Sequence, residues 1–382
     1  MPLVRLMILG VLLLLAPLTS LAQVLKNHLG FRYGYYGDNV GVTVHSPGVT
    51  LARTIGHHWL LNLKGRIDAI TAASIRNGSG TQNDAVTGAS SRPLLGIEID
   101  DVRYAPQISL TYSKGDHTGT FGGYLSSEGD YQGRSLFGTY TLDLNEQNSA
   151  LTVSVSQADD RWEPRIDRSL SQESRTERQF DLSFSQLITP KSQLQLAYSY
   201  IQSDGFLSHP YQYLLTDETA RFEAYPDTRS ADAFSGTLVS FIGNANALHL
   251  HYRYYQDDWA VKAHTFNLEG YRELSGRLTL GLRGRYYTQS GADFYLDPEA
   301  YTLQSRYVGI DYRNSAFDST TFGAMGSVGL GDVALGGQTL TEGRLEMSLD
   351  RYETTDNDYI RHWYGEPRIT AWFATLSIGF AY

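Results

Sequence analysis

The chain contains no cysteine, which excludes disulfides, thiolate metal sites and lipid attachment at a lipobox residue. Past the first segment, no apolar run approaches the roughly 20 residues a transmembrane helix needs, so any crossing of a membrane falls to strands. Positive charge is in deficit: 31 Lys and Arg against 41 Asp and Glu leave a formal charge of −10. That balance argues against a nucleic-acid partner and against a polybasic role at a membrane surface. Hydrolase and phosphate-cradling signatures are missing as well: there is no G-x-S-x-G, no H-E-x-x-H and no G-x-x-x-x-G-K-[ST]. The expectation is therefore a protein that is not an enzyme and carries no cofactor. A Ser–His arrangement assembled on a barrel wall stays open, because such residues need not be close in sequence.

What is present is alternation. From Thr370 to Tyr382, Trp372, Ala374, Leu376, Ile378, Phe380 and Tyr382 share one parity, while Thr375, Ser377, Gly379 and Ala381 share the other. A strand sends successive side chains to opposite faces, so this segment has one apolar and one small, polar face. A soluble domain seldom leaves such an edge bare, whereas a membrane barrel closes it against its first strand. The aromatic end, Phe380 and Tyr382, resembles the C-terminal insertion signal of bacterial outer-membrane proteins, with Tyr382 where Phe is usual. The 27 Tyr suit a membrane interface, and the 37 Gly permit close strand approach.

At the other end, Arg5, the apolar run Leu6 to Leu15 and Ser20-Leu21-Ala22 read as a secretory signal peptide over residues 1–22, removed before the mature barrel of residues 23–382 folds. Along the rest, short turn-like spacers such as Lys114-Gly115-Asp116 and Thr189-Pro190-Lys191-Ser192 alternate with long, polar, aromatic-rich ones at 72–103, 158–178, 203–230, 289–318 and 354–367. The segments between them predict an all-β fold, an antiparallel transmembrane β-barrel of about sixteen strands. Two boundaries are left open: the region before Leu51 and a Gly-rich turn near Gly331 to Gly337.

Charges facing lipid cost a few kcal/mol each, so the polar parity must face the lumen. On that argument the candidate lumen-lining residues are Lys64, Arg66, Asp68, Asp181, His249, His251, Arg253, Arg283, Arg285, Arg344 and Glu346. Both signs are present, which fits either a wet channel or an interior tied up by ion pairs. Arg283 and Arg285 are the pair expected to set ion selectivity. His249 and His251, two apart on one face, admit a metal reading with Asp257 or Asp258, but the reading taken is that they are ordinary lumen-lining polar residues and that there is no metal site; the face of His264 is undetermined. The turn Asp257-Asp258-Trp259 reads as a hairpin capped by acids, with Trp259 as an interface anchor.

Four stretches carry a likeness to a known family. They are DAVTGAS (Asp84 to Ser90), YPDTR (Tyr225 to Arg229), YRYYQDDWAVKAHT (Tyr252 to Thr265) and YVGIDYR (Tyr307 to Arg313), the last with Gly309 in place of the family's serine. In these the chain resembles the uncharacterised bacterial outer-membrane proteins filed as domain of unknown function 3570. The resemblance implies an outer-membrane β-barrel over essentially the whole mature chain and brings no established activity. The expected role is passage or export of a small solute through a polar lumen. The alternative is a non-conducting scaffold barrel whose long loops engage a partner or surface polymer. Expected partners are outer-membrane lipid and lipopolysaccharide, the barrel assembly machinery during biogenesis, and no nucleic acid.

Overall fold

Strict alternation gives every strand one face that must meet lipid and one that must not, and a closed ring satisfies both without leaving an edge. The computed structural model describes residues 25–72, 99–163, 172–208, 213–215, 220–297, 305–335 and 338–382. Its first strands are β1 (His28–Asp38), β2 (Val42–Ile55), β3 (Trp59–Ala72), β4 (Ile99–Tyr104), β5 (Gln107–Lys114), β6 (His117–Ser127), β7 (Tyr131–Leu144), β8 (Ser149–Trp162), β9 (Glu173–Thr189) and β10 (Ser192–Gly205). A small hairpin follows, β11 (Tyr213–Leu215) and β12 (Ala220–Phe222). Then come β13 (Thr228–Ile242), β14 (Asn246–Asp257), β15 (Lys262–Ser275), β16 (Leu278–Gln289), β17 (Phe317–Leu335), β18 (Gln338–Thr354) and β19 (Thr370–Ala381).

Sequence neighbours pair antiparallel around the sheet, and β19 closes on β1 from His28↔Ala381 to Asp38↔Ala371. β3 pairs with both β4 and β5, which are two segments of one position, so the 17 segments make a barrel of 16 strands. The break between them is Ala105-Pro106: Pro106 has no N–H to give the ladder, although its carbonyl still accepts from Leu125 at 3.0 Å.

The predicted strands all appear, with shifted ends. β2 starts at Val42, not near 48, because Pro47 sits inside the strand opposite Tyr33. β17 runs through Gly331 to Leu335, with its register shifts between Gly329 and Val333, so the described part of the Gly-rich stretch is an irregular strand; residues 336–337 lie outside the described residues. On the loop side, β8, β9, β10 and β13 all extend into spans expected to be loop. Residues 1–24 and most of the first long spacer, including DAVTGAS, lie outside the described residues.

The apolar parity forms the outer wall. Phe121, Leu136, Leu268, Leu282 and Phe322 are all at least half exposed there. Leu282, at 71% exposure in mid β16, is a sensitive probe of what surrounds it. Leu282→Arg is expected to cost about 2–4 kcal/mol of folding stability in lipid vesicles, as charges on a barrel's lipid face do. A change under about 0.5 kcal/mol in urea titration, the range of an ordinary surface substitution, would mean the wall is not against hydrocarbon.

Candidate functional site

Because Leu250 and Tyr252, Leu280 and Leu282, and Met347 and Leu349 point outward, their odd- or even-numbered neighbours on β14, β16 and β18 point in. That places His249, His251 and Arg253, then Arg283 and Arg285, then Arg344, Glu346 and Asp350 on the inner wall. The same parity turns Lys64, Arg66 and Asp68 inward from β3, and Asp181 from β9, since Leu63, Ile67, Phe180 and Leu182 are exposed.

These residues do not act as one set. Asp68 is buried, accepts a hydrogen bond from Arg103 Nε at 2.7 Å and forms an ion pair with Arg66 at 3.2 Å. Asp181 accepts from Gln179 at 2.8 Å and from the Ser199 hydroxyl, and among the described residues it has no arginine partner. His249 approaches Glu269 at 3.7 Å, and Glu269 also accepts from the Tyr271 hydroxyl at 2.6 Å. His251 Nδ1 meets Thr237 Oγ1 at 2.8 Å, and Arg344 donates to Ser327 at 3.2 Å. His264 has the outward parity and bonds Tyr252 at 2.8 Å, so it is separated by the wall from His249 and His251. Among the described residues no group of three or more His, Asp or Glu is placed to hold a metal.

Arg283 differs from its neighbour Arg285. Register puts Arg283 on β16 opposite Gly323 on β17, and Gly323 opposite Asp350 on β18. The missing side chain lets the arginine reach across the middle strand into a bidentate pair with Asp350. A Cβ at Gly323 would overlap that carboxylate. Arg283 is thus neutralised, and the expectation that it sets selectivity together with Arg285 loses its physical basis for this member of the pair.

At the end carrying the long connections, the chain folds back inside the ring. Small inward residues, Ala231 and Ala233 on β13 and Ala263 on β15, leave room for Leu207, Phe294 and Trp259. Trp259, expected as an interface anchor, is instead 3% exposed. It packs on Tyr225 and Phe294 (ring centroids 5.7 and 4.9 Å), with Arg229 4.4 Å over its face. The turn drives it inward: Asp257 Oδ1 caps the backbone N–H groups of Trp259 and Val261 at 3.0 and 2.9 Å, while Oδ2 takes Arg229 and the Tyr255 hydroxyl. A second cluster adds Val308, Ile310, Tyr312 and Ile369 to Tyr359 and Ile360 of a short helix, α1 (Asp358–Tyr364). Asn357 caps its N-terminus, and Gly365 ends it at φ 71°.

The two clusters are joined by a buried polar knot. Glu223 Oε1 accepts from the Ile310 and Asp311 backbone N–H groups at 2.6 and 3.0 Å, and Oε2 accepts from the Tyr225 hydroxyl at 2.7 Å. Asp311 is gripped by the Arg313 guanidinium, Nε to Oδ2 at 2.8 Å. Burial, joined by the Asp311 carboxylate, pushes the Glu223 carboxyl up to about 8 in spite of its three donors. Burial acts to raise Asp311 too, but Arg313 outweighs it and holds that carboxyl down to about 2. One cation thus faces two carboxyls, and the raised proton affinity of Glu223 works against a second buried negative charge beside Asp311.

This assembly was not anticipated, although a signal for it existed. Three of the four stretches that carry the family likeness meet here: Tyr225 and Arg229, Tyr255 to Trp259, and Val308 to Arg313, linked by the Ala224↔Val308 bridge. Gly309, the departure from the family pattern, is explained by the same packing. A Cβ there would lie 2.9 Å from Phe294 and 3.0 Å from Tyr225.

A family model described as Protein of unknown function (DUF3570) matches residues 14–181 and 164–380. No curated protein matches the chain. Among solved structures it is similar to a bacterial polysaccharide outer membrane secretin, at TM-score 0.49 and 7% identity over 94% of this chain and 99% of that one. It is also similar to a loop L8 deletion mutant of OmpT, an outer membrane protein of Vibrio cholerae, at TM-score 0.47 and 8% identity over 94% and 98%. A third is Pseudomonas aeruginosa OpdQ, at TM-score 0.45 and 10% identity over 94% and 98%. At these identities the likeness is one of fold alone.

Proposed function

Because this chain belongs to the family described as Protein of unknown function (DUF3570), we propose its activity from its own geometry: an outer-membrane conduit that passes a small solute along its polar interior, with the packed loops as its gate. The observation that carries this is the contrast between the two ends of the interior. Much of the inner wall is a polar surface of hydroxyls and charges, with hydroxyl pairs such as Thr111–Thr120, Thr139–Ser154 and Thr141–Thr152 along β5 to β8. Against that wall, the loop end is occupied by apolar side chains that only an opening movement would withdraw. A ring of this size encloses an aqueous path unless something folds into it. Lipid and lipopolysaccharide then surround the wall, and the barrel assembly machinery inserts it.

Single-channel recording in planar bilayers tests the reading. Heat-modifiable, folded protein should give small ohmic steps that grow when the loop packing is loosened. Silence in both states overturns passage. A scaffold reading draws on the exposed chain of charges Glu353–Arg368–Asp356–Arg361 beside α1, a surface suited to a partner outside the cell. It predicts that exchanging these charges abolishes partner capture and leaves conductance as it was.

A further inference from the structure

We propose that Arg253 and Arg285 form a binding subsite for a small organic oxyanion, a carboxylate or phosphate on a compact body, on the inner wall beside the packed loops. The inference rests on the passage reading and deepens it by naming the solute class.

Five arginines that are wholly or partly shielded from water are each matched to an acid. Arg103 is paired with Asp68, Arg175 with Asp160, Arg229 with Asp257, Arg283 with Asp350 and Arg313 with Asp311. Burying an unpaired charge is costly, and the fold has supplied an aspartate each time. Arg253 and Arg285, half-buried on the inner wall, break that pattern. Among the described residues neither has a carboxylate within ion-pair distance, and neither donates a hydrogen bond to a protein acceptor. Asp181 adds only an attractive field at Arg253 from beyond ion-pair reach. Their register partners are neutral: Arg253 lies between Ser235 and Thr265, and Arg285 between Asn267 and Thr321.

Register sets the two arginines two strands and one pleat apart on the inner wall: Arg253 faces Thr265, Thr265 faces Tyr287, and Arg285 is one pleat along from Tyr287. At that spacing Arg253 lies in the field of Arg285. Two like charges in reach of one another and without a shared anion are a retained positive field. The tyrosines beside them do not discharge it. Tyr255 and Tyr287 give their hydroxyls to Asp257 and Gln289 at 2.8 and 2.6 Å, and the Tyr255 ring turns a face to Arg253 at 5.3 Å. His251, one pleat from Arg253, is occupied by Thr237.

A guanidinium presents donors in a planar fork matched to two oxygens of a carboxylate or phosphate. Two forks, one of them beside the Tyr255 ring, suit an oxyanion attached to a small organic body. Their position, one pleat from Tyr255 and Tyr287 where the loops pack, sets the subsite on the route a solute takes past the gate. A conduit needs such a site to hold its solute weakly enough to release it.

The test reads binding without conduction. Full-length barrel folded in detergent micelles is mixed with 4-fluorobenzoate, with its uncharged match 4-fluorobenzamide, and with inorganic phosphate. Line broadening is followed by fluorine or phosphorus NMR. Broadening of 4-fluorobenzoate but not of the amide is expected, and phosphate broadening in addition would show that the oxyanion alone suffices. Arg253→Gln with Arg285→Gln should weaken binding about tenfold or more, as the loss of charge-assisted hydrogen bonds does. The charge-matched outward pair Arg53→Gln with Arg272→Gln should bind as wild type. Equal broadening by acid and amide, or unchanged binding in the Arg253/Arg285 variant, overturns the subsite. Silent bilayers with anion binding intact overturn passage instead, and leave the subsite standing.

Discussion

Arg313→Met loosens the loop assembly by about 3–5 kcal/mol while the barrel wall stays folded, since removing one member of a buried pair strands the other charge. Arg313 and Asp311 are 7% and 4% exposed, and among the described residues Asp311 has no second cation in contact. The loss falls on the docking of residues 305–315 and not on the wall, whose ladder hydrogen bonds do not involve these residues. The expected result is rapid trypsin cleavage after Arg306, with a heat-modifiable band as in wild type and larger conductance steps. Asp311→Asn combined with Arg313→Met should recover part of the protection, because a pair removed whole leaves no orphan charge. Wild-type protease resistance in the single variant would show that the pair does not hold the loops.

The same knot makes loop docking depend on pH through Glu223. Its carboxyl is raised in the docked state, from 4.5 to about 8, so the docked state binds the proton more tightly than the released one. Such a group contributes its full stabilisation below about 4.5 and loses it progressively as pH rises to about 8. Every tenfold gain in proton affinity corresponds to about 1.4 kcal/mol, so the window spans a few kcal/mol. The other groups facing Glu223 do not titrate there. Asp311 is held low by Arg313, and burial pushes Tyr225, Tyr312 and Tyr359 further above the usual phenol range. Urea-induced release of Trp259, followed by fluorescence quenching, should therefore show a lower midpoint at pH 8.5 than at pH 5. Glu223→Gln should remove that difference. A pH dependence equally steep in Glu223→Gln would assign it to other groups.

The wall was legible because its cause is local. Whether Leu282 or Arg283 faces lipid follows from a period of two and the cost of a charge in hydrocarbon, and the chain repeats that pattern strand after strand. Departures came where one residue carries a non-local consequence. Pro47 is tolerated inside β2, whereas Pro106 splits the segment beside β3, a distinction set by the neighbouring ladder and not by proline itself. Trp259 follows the same logic: an aromatic in a short outer turn looks like an anchor until Ala231, Ala233 and Ala263 are seen to leave a hollow behind it.

The sequence by itself determined a closed antiparallel barrel with an acidic, cysteine-free chain and a polar interior, because alternation, turn chemistry and charge cost act over a few residues. Only the tertiary structure decided which arginines are neutralised and what fills the loop end. Arg283 and Arg285 are indistinguishable in the chain; one meets Asp350 across Gly323 and the other meets no acid, and that outcome is set by register across three strands. Glu223, Asp311 and Arg313 likewise become one unit only when segments some ninety residues apart are packed away from water, where burial makes their protonation depend on each other.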